Sequence, residues 1–335
     1  MGSTNPQAEM NRLLSGYWLS KAVYVAAKLG IADLLAHGGR SVDELARETK
    51  THGPSLYRML RALASVGVFV EDTPGRFSLT PVAACLRSDV PGSQRALAIM
   101  MGEEQFRAWS EFLYSVQTGK PAFDRVFGMP VFDYLSKNSE PAKVFDAAMV
   151  GVHGRETSAM TDVYDFSDIP VLADIGGGNG SLLTTVLQKY PAMRAILYDL
   201  PGVTERAKIS LQAAGLADRC RVIGGNFFES VPGGADAYLM RHIIHDWDDE
   251  KATRILQNVH RAMPTAGRLL IVESVIPPGN DPALGKLLDL HMLVIPGGKE
   301  RTDQEYRTLF EAGGFRLTRI VPTKAEVSVI EGRKP

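Results

Sequence analysis

The chain has almost no excess charge: 37 Lys and Arg stand against 38 Asp and Glu, a net charge of −1. Nucleic acid or an anionic membrane would need a basic excess, so neither is expected as a partner. No uninterrupted apolar run reaches the ~18–20 residues of a membrane span. The amino-terminal MGSTNPQAEMNR is polar and has no signal-peptide apolar region, which makes the cytoplasm the expected compartment. Cysteine is scarce. Cys85 and Cys220 lie far apart, without His or Cys neighbours at ligand spacing, and are expected to be buried free thiols of a reducing compartment. The Gly-Lys-Ser/Thr of a phosphate-binding loop is also missing. What remains is an ordinary globular composition, 45% hydrophobic and 22% charged over 335 residues, long enough for two domains.

The first part reads as helical. Over 9–36, Leu14, Trp18, Ala22, Val25 and Leu29 share a helix face, either for their own domain or for a partner chain. Ser41 and Glu44 form a capping-box pattern before a short helix. After the T-H-G-P turn, a second helix over 54–66 carries Leu56, Leu60 and Leu63, and two short strands flank the following Pro-Gly. Helix, turn, helix and hairpin make a winged-helix pattern. It suits DNA binding through Arg58 and Arg61, or a structural and dimerisation module; the absent basic excess favours the module. Helices are expected over 92–119, 130–138 and 142–161. In the last of these Phe145, Met149 and His153 recur every four residues, as a core stripe or as one wall of an aromatic substrate's pocket.

From residue 171 strand and helix patterns alternate, which predicts a mostly parallel sheet. Strands are expected at 171–175, 194–198, 219–224, 235–240 and 267–273, then a closing pair at 315–321 and 325–331. Helices are expected at 180–190, 202–214, 248–263, 282–294 and 302–313. The first strand runs into D-I-G-G-G-N-G, residues 174–180. Glycines there allow positive φ and close approach of a ligand to a helix N-terminus. The spacing departs from the G-x-G-x-x-G of dinucleotide folds.

Asp199 ends the second strand, where an acid accepts hydrogen bonds from ribose hydroxyls. A glycine turn with a ribose acid and no phosphate-binding residues points to an adenosine cofactor without phosphates, S-adenosylmethionine. Asn226 and Phe227, after the third strand, are placed to read the edge and face of an adenine. After the fourth strand comes R-H-I-I-H-D-W-D-D-E, residues 241–250. It reads as a metal site for magnesium-dependent transfer to catechols, or as an N-cap and first-turn acids at Asp248, Asp249 and Glu250. Capping leaves His245 unexplained, at the sheet edge where ligands bind, and a catalytic role is expected for it.

With these residues the chain resembles the small-molecule O-methyltransferases of the plant caffeate/flavonoid type and their bacterial antibiotic-tailoring relatives. The matching segments are D-I-G-G-G-N-G (174–180), Y-D-L-P (198–201), H-D-W-D-D-E (245–250), V-E-S (272–274) and G-G-K-E-R-T (297–302), and the likeness covers essentially the whole chain. It implies an α/β fold: a class I methyltransferase, Rossmann-like seven-stranded sheet, preceded by a mainly helical winged-helix dimerisation domain. Expected boundaries are 9–90 for dimerisation, 91–165 for a helical connector contributing to the substrate pocket, and 166–335 for the S-adenosylmethionine-binding catalytic domain. The resemblance implies His245 as general base with Glu273 and Glu300 flanking its imidazole. It implies cofactor contacts at Gly176, Asp199, Asn226, Phe227 and Arg241, Trp247 packing on the adenine, and an entwined homodimer. By position the substrate pocket belongs to Phe145, Met149, His153, Asp246 and Met292. The family often has an acid where this chain has Asn226, and plant members have an asparagine in the region of Val294-Ile295. No metal is expected: an imidazole base and an activated sulfonium methyl suffice for a phenol of pKa ~10. Two other functions are compatible with parts of the pattern: decarboxylation or hydroxylation on the same scaffold, and a winged-helix regulator.

Overall fold

The structure, a computed structural model, describes residues 5–335. The chain divides into two compact units, one of residues up to Ser110 with Asp133–His153, the other of Glu111–Phe132 with Gly154–Pro335. The region 91–165 is therefore shared between the units.

In the first unit, the helical segment expected over 9–36 is three helices, Pro6–Leu14, Gly16–Lys28 and Ile31–Leu34. The second break falls at Gly30, which takes a left-handed φ of 68°. Leu14, Trp18 and Val25 stay exposed, while Ala22 and Leu29 pack on the core. Ser41 and Glu44 close the capping box of helix Val42–Thr49. Strands β1 (Arg40–Ser41), β2 (Phe69–Thr73) and β3 (Arg76–Leu79) form an antiparallel sheet in the order β1-β3-β2. Helix Gly53–Ser65 buries Leu56, Leu60 and Leu63 in the same core as Phe69 and Phe77. Cys85 is exposed, contrary to expectation, because it stands at the end of a single helical turn, Pro81–Ala84.

The helix expected over 92–119 is also three, Arg95–Gly102, Glu104–Trp109 and Phe112–Thr118. A distant partner causes the first break. A Cβ on Gly102 would collide with the Tyr24 ring, and Glu103 receives the Tyr24 hydroxyl at 3.1 Å and the Lys28 ammonium at 2.6 Å. Helix Val131–Lys137 and the long helix Ser139–Val163 follow.

In the second unit, β4 (Val171–Ile175), β5 (Arg194–Asp199), β6 (Cys220–Gly224), β7 (Ala237–Arg241) and β8 (Arg268–Glu273) run parallel. Two short strands, β9 (Val275–Ile276) and β10 (Arg301–Thr302), make a separate parallel pair. β11 (Arg316–Pro322) and β12 (Ser328–Arg333) close the seven-stranded sheet in the order β11-β12-β8-β7-β4-β5-β6, with β12 antiparallel to both neighbours. Alternation along the strands sends Leu172, Leu239 and Leu270 into one core and Ala173, Tyr238 and Ile271 into the other. The strand order reverses beside β4, and the carboxyl ends of β4, β5 and β7 meet there, the place where open α/β sheets bind ligands. Among the described residues no helix is long and apolar enough to cross a membrane.

Candidate active site

The glycine turn follows β4 directly. Gly176, Gly178 and Gly180 all have left-handed φ, 76°, 57° and 81°. Gly176 donates its N–H to the Tyr198 carbonyl at 2.7 Å, which ties the turn to the end of β5. Asp199 is pinned by two backbone donors, Gly178 N–H at 2.8 Å and Leu200 N–H at 2.7 Å. Each carboxylate oxygen accepts one of these N–H groups, which fixes the acid at the end of β5. A Cβ on Gly176 would collide with Ile243, so the glycine lets the turn touch the loop that carries His245.

Asn226 uses its side-chain carbonyl locally, accepting the Phe228 N–H at 2.9 Å. Its amide nitrogen donates to Glu229 Oε1 at 3.5 Å. Trp247 sits in an aromatic cluster, 4.7 Å from Phe228, 6.2 Å from Phe227 and 6.0 Å from Phe132 between ring centroids. Its indole Nε1 is buried without a hydrogen-bond partner. An orphaned indole N–H beside aromatic faces, with an acid poised for hydroxyls at the end of β5, fits an adenosine group.

Arg241, at the end of β7, donates to the Thr157 hydroxyl at 2.6 Å, and the charges of Glu156 and Asp174 also act on it. Asp174 is fully enclosed. Burial pushes its carboxyl up to about 7; Arg241 opposes the rise and Asp199 adds to it. Next along the chain, His242 has a left-handed φ of 53° and bonds Glu156 at 2.9 Å. This unusual backbone turns the chain sharply from β7 into the short 3-10 turn Ile244–Asp246.

His245 is only 7% exposed. Its Nδ1 lies 2.6 Å from Glu300 Oε1. A carboxylate only accepts, so Nδ1 carries a proton toward Glu300 and Nε2 is the nitrogen that gains and loses one. Burial lowers the imidazole pKa, but the Glu300 hydrogen bond and the charges of Asp246, Glu300 and Glu273 outweigh it and carry the ring up to about 10. Asp246 Oδ1 is 3.6 Å from Nε2, and burial pushes that carboxyl up to about 6.

Glu273 differs from the flanking position implied by the resemblance. Its Oε1 accepts three backbone N–H groups, from Ile243 at 3.1 Å, Ile244 at 2.7 Å and His245 at 3.2 Å. Its Oε2 accepts the Tyr306 hydroxyl at 2.8 Å. Glu273 thus shapes the loop, and Glu300 alone of the two bonds the ring. The parallel pairing of Val275 with Arg301 explains their proximity, since each acid lies one or two residues before that register. Glu300 is held in turn by its own N–H on Asp289 at 2.9 Å.

Asp248 caps helix Asp249–Ala262 through the Lys251 N–H at 2.8 Å, as the capping reading expected. Met292, on helix Leu284–Val294, is buried beside His291, whose imidazole burial and the His245 charge push down to about 4. Phe145, Met149 and His153 stand half-buried on helix Ser139–Val163 in the first unit, whereas Asp246 and Met292 belong to the second. Sequence reasoning missed Tyr306, Asp289 and Arg301. Only Arg301 had a local signal, its place beside Glu300.

The chain is similar to known proteins over nearly its full length. Residues 109–316 match the O-methyltransferase domain family model, and residues 11–89 match the O-methyltransferase dimerisation domain. The phenazine O-methyltransferase PhzM of Lysobacter antibioticus is 48% identical over 322 residues, covering 96% of this chain and 94% of that protein. The O-demethylpuromycin-O-methyltransferase of Streptomyces alboniger is 41% identical, covering 94% and 85%. The crystal structure of LaPhzM superposes with a TM-score of 0.95 at 47% identity, over 99% of this chain and 100% of that one. NcsB1 from neocarzinostatin biosynthesis, solved with S-adenosylmethionine and 2-hydroxy-5-methyl naphthoic acid, superposes with a TM-score of 0.84 at 31% identity, over 94% and 96%. A seven-stranded methyltransferase sheet, an amino-terminal dimerisation domain and these matches over nearly the full length make the chain a member of the O-methyltransferase family.

Proposed function

We propose that this enzyme methylates a phenolic hydroxyl of a fused aromatic small molecule with S-adenosylmethionine, and that His245 is the general base. The observation that carries the base assignment is the buried 2.6 Å contact between His245 Nδ1 and Glu300, which leaves Nε2 as the proton acceptor. The names of the relatives, a phenazine O-methyltransferase and an enzyme solved with a hydroxynaphthoic acid, support the acceptor class.

The glycine turn from Gly176, with Asp199, Asn226, Phe227, Arg241 and Trp247, would hold the cofactor. When bound, S-adenosylmethionine supplies a methyl group already activated on a sulfonium. The protein has then to remove one proton and exclude water. The phenol's proton passes to Nε2, and the Glu300 hydrogen bond with the neighbouring carboxylates raises the ring's affinity for it. Glu300 keeps the ring's tautomer and stabilises the imidazolium. Asp246 and Met292 are proposed as acceptor contacts.

The exposed stripe Leu14, Trp18 and Val25 lies in the stretch that matches the dimerisation domain, which supports a homodimer. The free cysteines suit a reducing compartment, the cytoplasm. The test is a panel of hydroxyphenazines and hydroxynaphthoates. The enzyme should give products heavier by one methylene, and His245→Ala should lose at least ~100-fold in kcat with cofactor binding intact by calorimetry. Methylation at nitrogen, or equal loss of turnover and cofactor binding, would refute the corresponding half of the reading.

A further inference from the structure

Among the described residues Arg301 is the largest fully buried side chain, with 0% exposure. Burying a guanidinium is costly unless its donors are matched. Its hydrogen bonds show what it holds. Nε and Nη2 donate to Asp249 Oδ1 at 3.0 and 2.9 Å, Nη1 to the carbonyls of Ile244 and Lys299, both at 3.2 Å, and Nη2 to the Trp247 carbonyl at 3.0 Å. All five N–H groups are used. Two of the five bonds end on the backbone of the loop that carries His245, and two on the first residue of the helix that follows it.

Glu273 grips the same loop from the opposite polarity. It takes the amide N–H groups of Ile243, Ile244 and His245 while Arg301 takes the carbonyls of Ile244 and Trp247. The peptide unit that precedes His245 is therefore held at both ends by opposite charges, Glu273 on the His245 N–H and Arg301 on the Ile244 carbonyl. Arg301 also follows Glu300 directly, so the side chain that fixes the loop is covalently joined to the acid that fixes the ring. Lys299 N–H completes the frame on the His245 carbonyl at 2.9 Å.

We propose that Arg301 is a positioning residue for methyl transfer: with Glu273 it clamps the His245 loop from both sides and so fixes where Nε2 points. The proposal deepens the reading of His245 as the base and rests on it. A lysine at 301 retains the charge but replaces the planar five-donor fork with a single point of donation, which cannot span Asp249, Ile244 and Trp247 together.

The experiment compares wild type, Arg301→Lys and His245→Ala, with histidine nitrogens labelled for magnetic resonance. Wild type should show a downfield Nδ1 proton for the His245–Glu300 bond, identified by its loss in His245→Ala. In Arg301→Lys that proton should broaden or move upfield. With a hydroxyphenazine acceptor its kcat should fall at least ~100-fold, the scale of a small misplacement. Its KM and cofactor Kd should stay within about 3-fold, since ground-state binding is not what the clamp controls. An unchanged resonance with unchanged kcat overturns the proposal. So does a joint loss of kcat and cofactor affinity with the resonance intact. Should Arg301→Lys fail to fold, Asp249→Asn decides on the same measures: it should shift the proton and lower kcat about 5-fold, and no change in either overturns the clamp. Full activity in His245→Ala would refute the base reading instead, while the resonance still reports whether Arg301 holds the ring.

Discussion

Gly298 lies so close to His245 that a Cβ on the glycine would collide with the His245 carbonyl oxygen. Backbone atoms of Asp246 and Trp247 also lie within colliding distance, so the obstacle is rigid. Gly298→Ala must push the loop or the Gly297–Glu300 segment away, and the acid that bonds the ring moves with it. The expected outcome is a kcat lowered at least ~100-fold with cofactor affinity retained, read by steady-state kinetics and calorimetry. Unchanged kcat would mean that the loop gives way without moving the imidazole.

The contrast between Gly298 and Gly176 shows what was legible in the sequence. Gly176 was visible because a buried strand, a glycine run and a helical pattern are neighbours in the chain. Asp199 and His245 were visible for the same reason, as residues just past strand ends on the edge where ligands bind. Glu273 was placed by resemblance, but its work on three backbone N–H groups depends on a loop about thirty residues earlier, as its partners show. Tyr306, Asp289 and the burial of Arg301 are tertiary facts with no periodicity to betray them. The break at Glu103 is similar: it answers to Tyr24 and Lys28, far back in the chain. Asn226 was read as placed for the edge of an adenine, yet its side-chain carbonyl closes its own turn.

Glu300→Gln should separate orientation from charge. A glutamine still accepts from Nδ1 but no longer supports the imidazolium. The Glu300 hydrogen bond and charge are among the causes that raise His245 to about 10, so their removal lowers the imidazole pKa. The acid limb of kcat/KM, followed from about pH 6 to about pH 10, should move to lower pH while the plateau drops at least ~100-fold. A limb that stays in place would assign it to another group.

Trp18 is 64% exposed and Leu14 65% exposed, on successive helices of the stretch that matches the dimerisation domain. A large exposed aromatic in such a stripe is the type of residue that anchors an interface. Trp18→Glu should weaken self-association at least ~10-fold by sedimentation, roughly one anchor's contribution. A sedimentation profile identical to wild type would place the interface elsewhere.

Asp174 links the site to stability. Burial raises its carboxyl from 3.8 to about 7, Asp199 adds to the rise and Arg241 only partly offsets it. The folded protein therefore binds this proton more tightly than the unfolded chain does. As pH rises from about 4, the unfolded chain ionises first and the folded state loses relative stability. The loss is complete above about pH 7 and is on the order of 4 kcal/mol. Asp174→Asn keeps the shape and removes the ionisation. The difference in Tm between variant and wild type should then grow in the variant's favour between about pH 5 and about pH 8, by scanning calorimetry without cofactor. The same asparagine removes a charge that acts on Arg241, at the end of β7 beside the His245 loop. A Tm difference that does not change with pH would show that Arg241 holds Asp174 ionised throughout, and the burial penalty would then have to be borne by the pair.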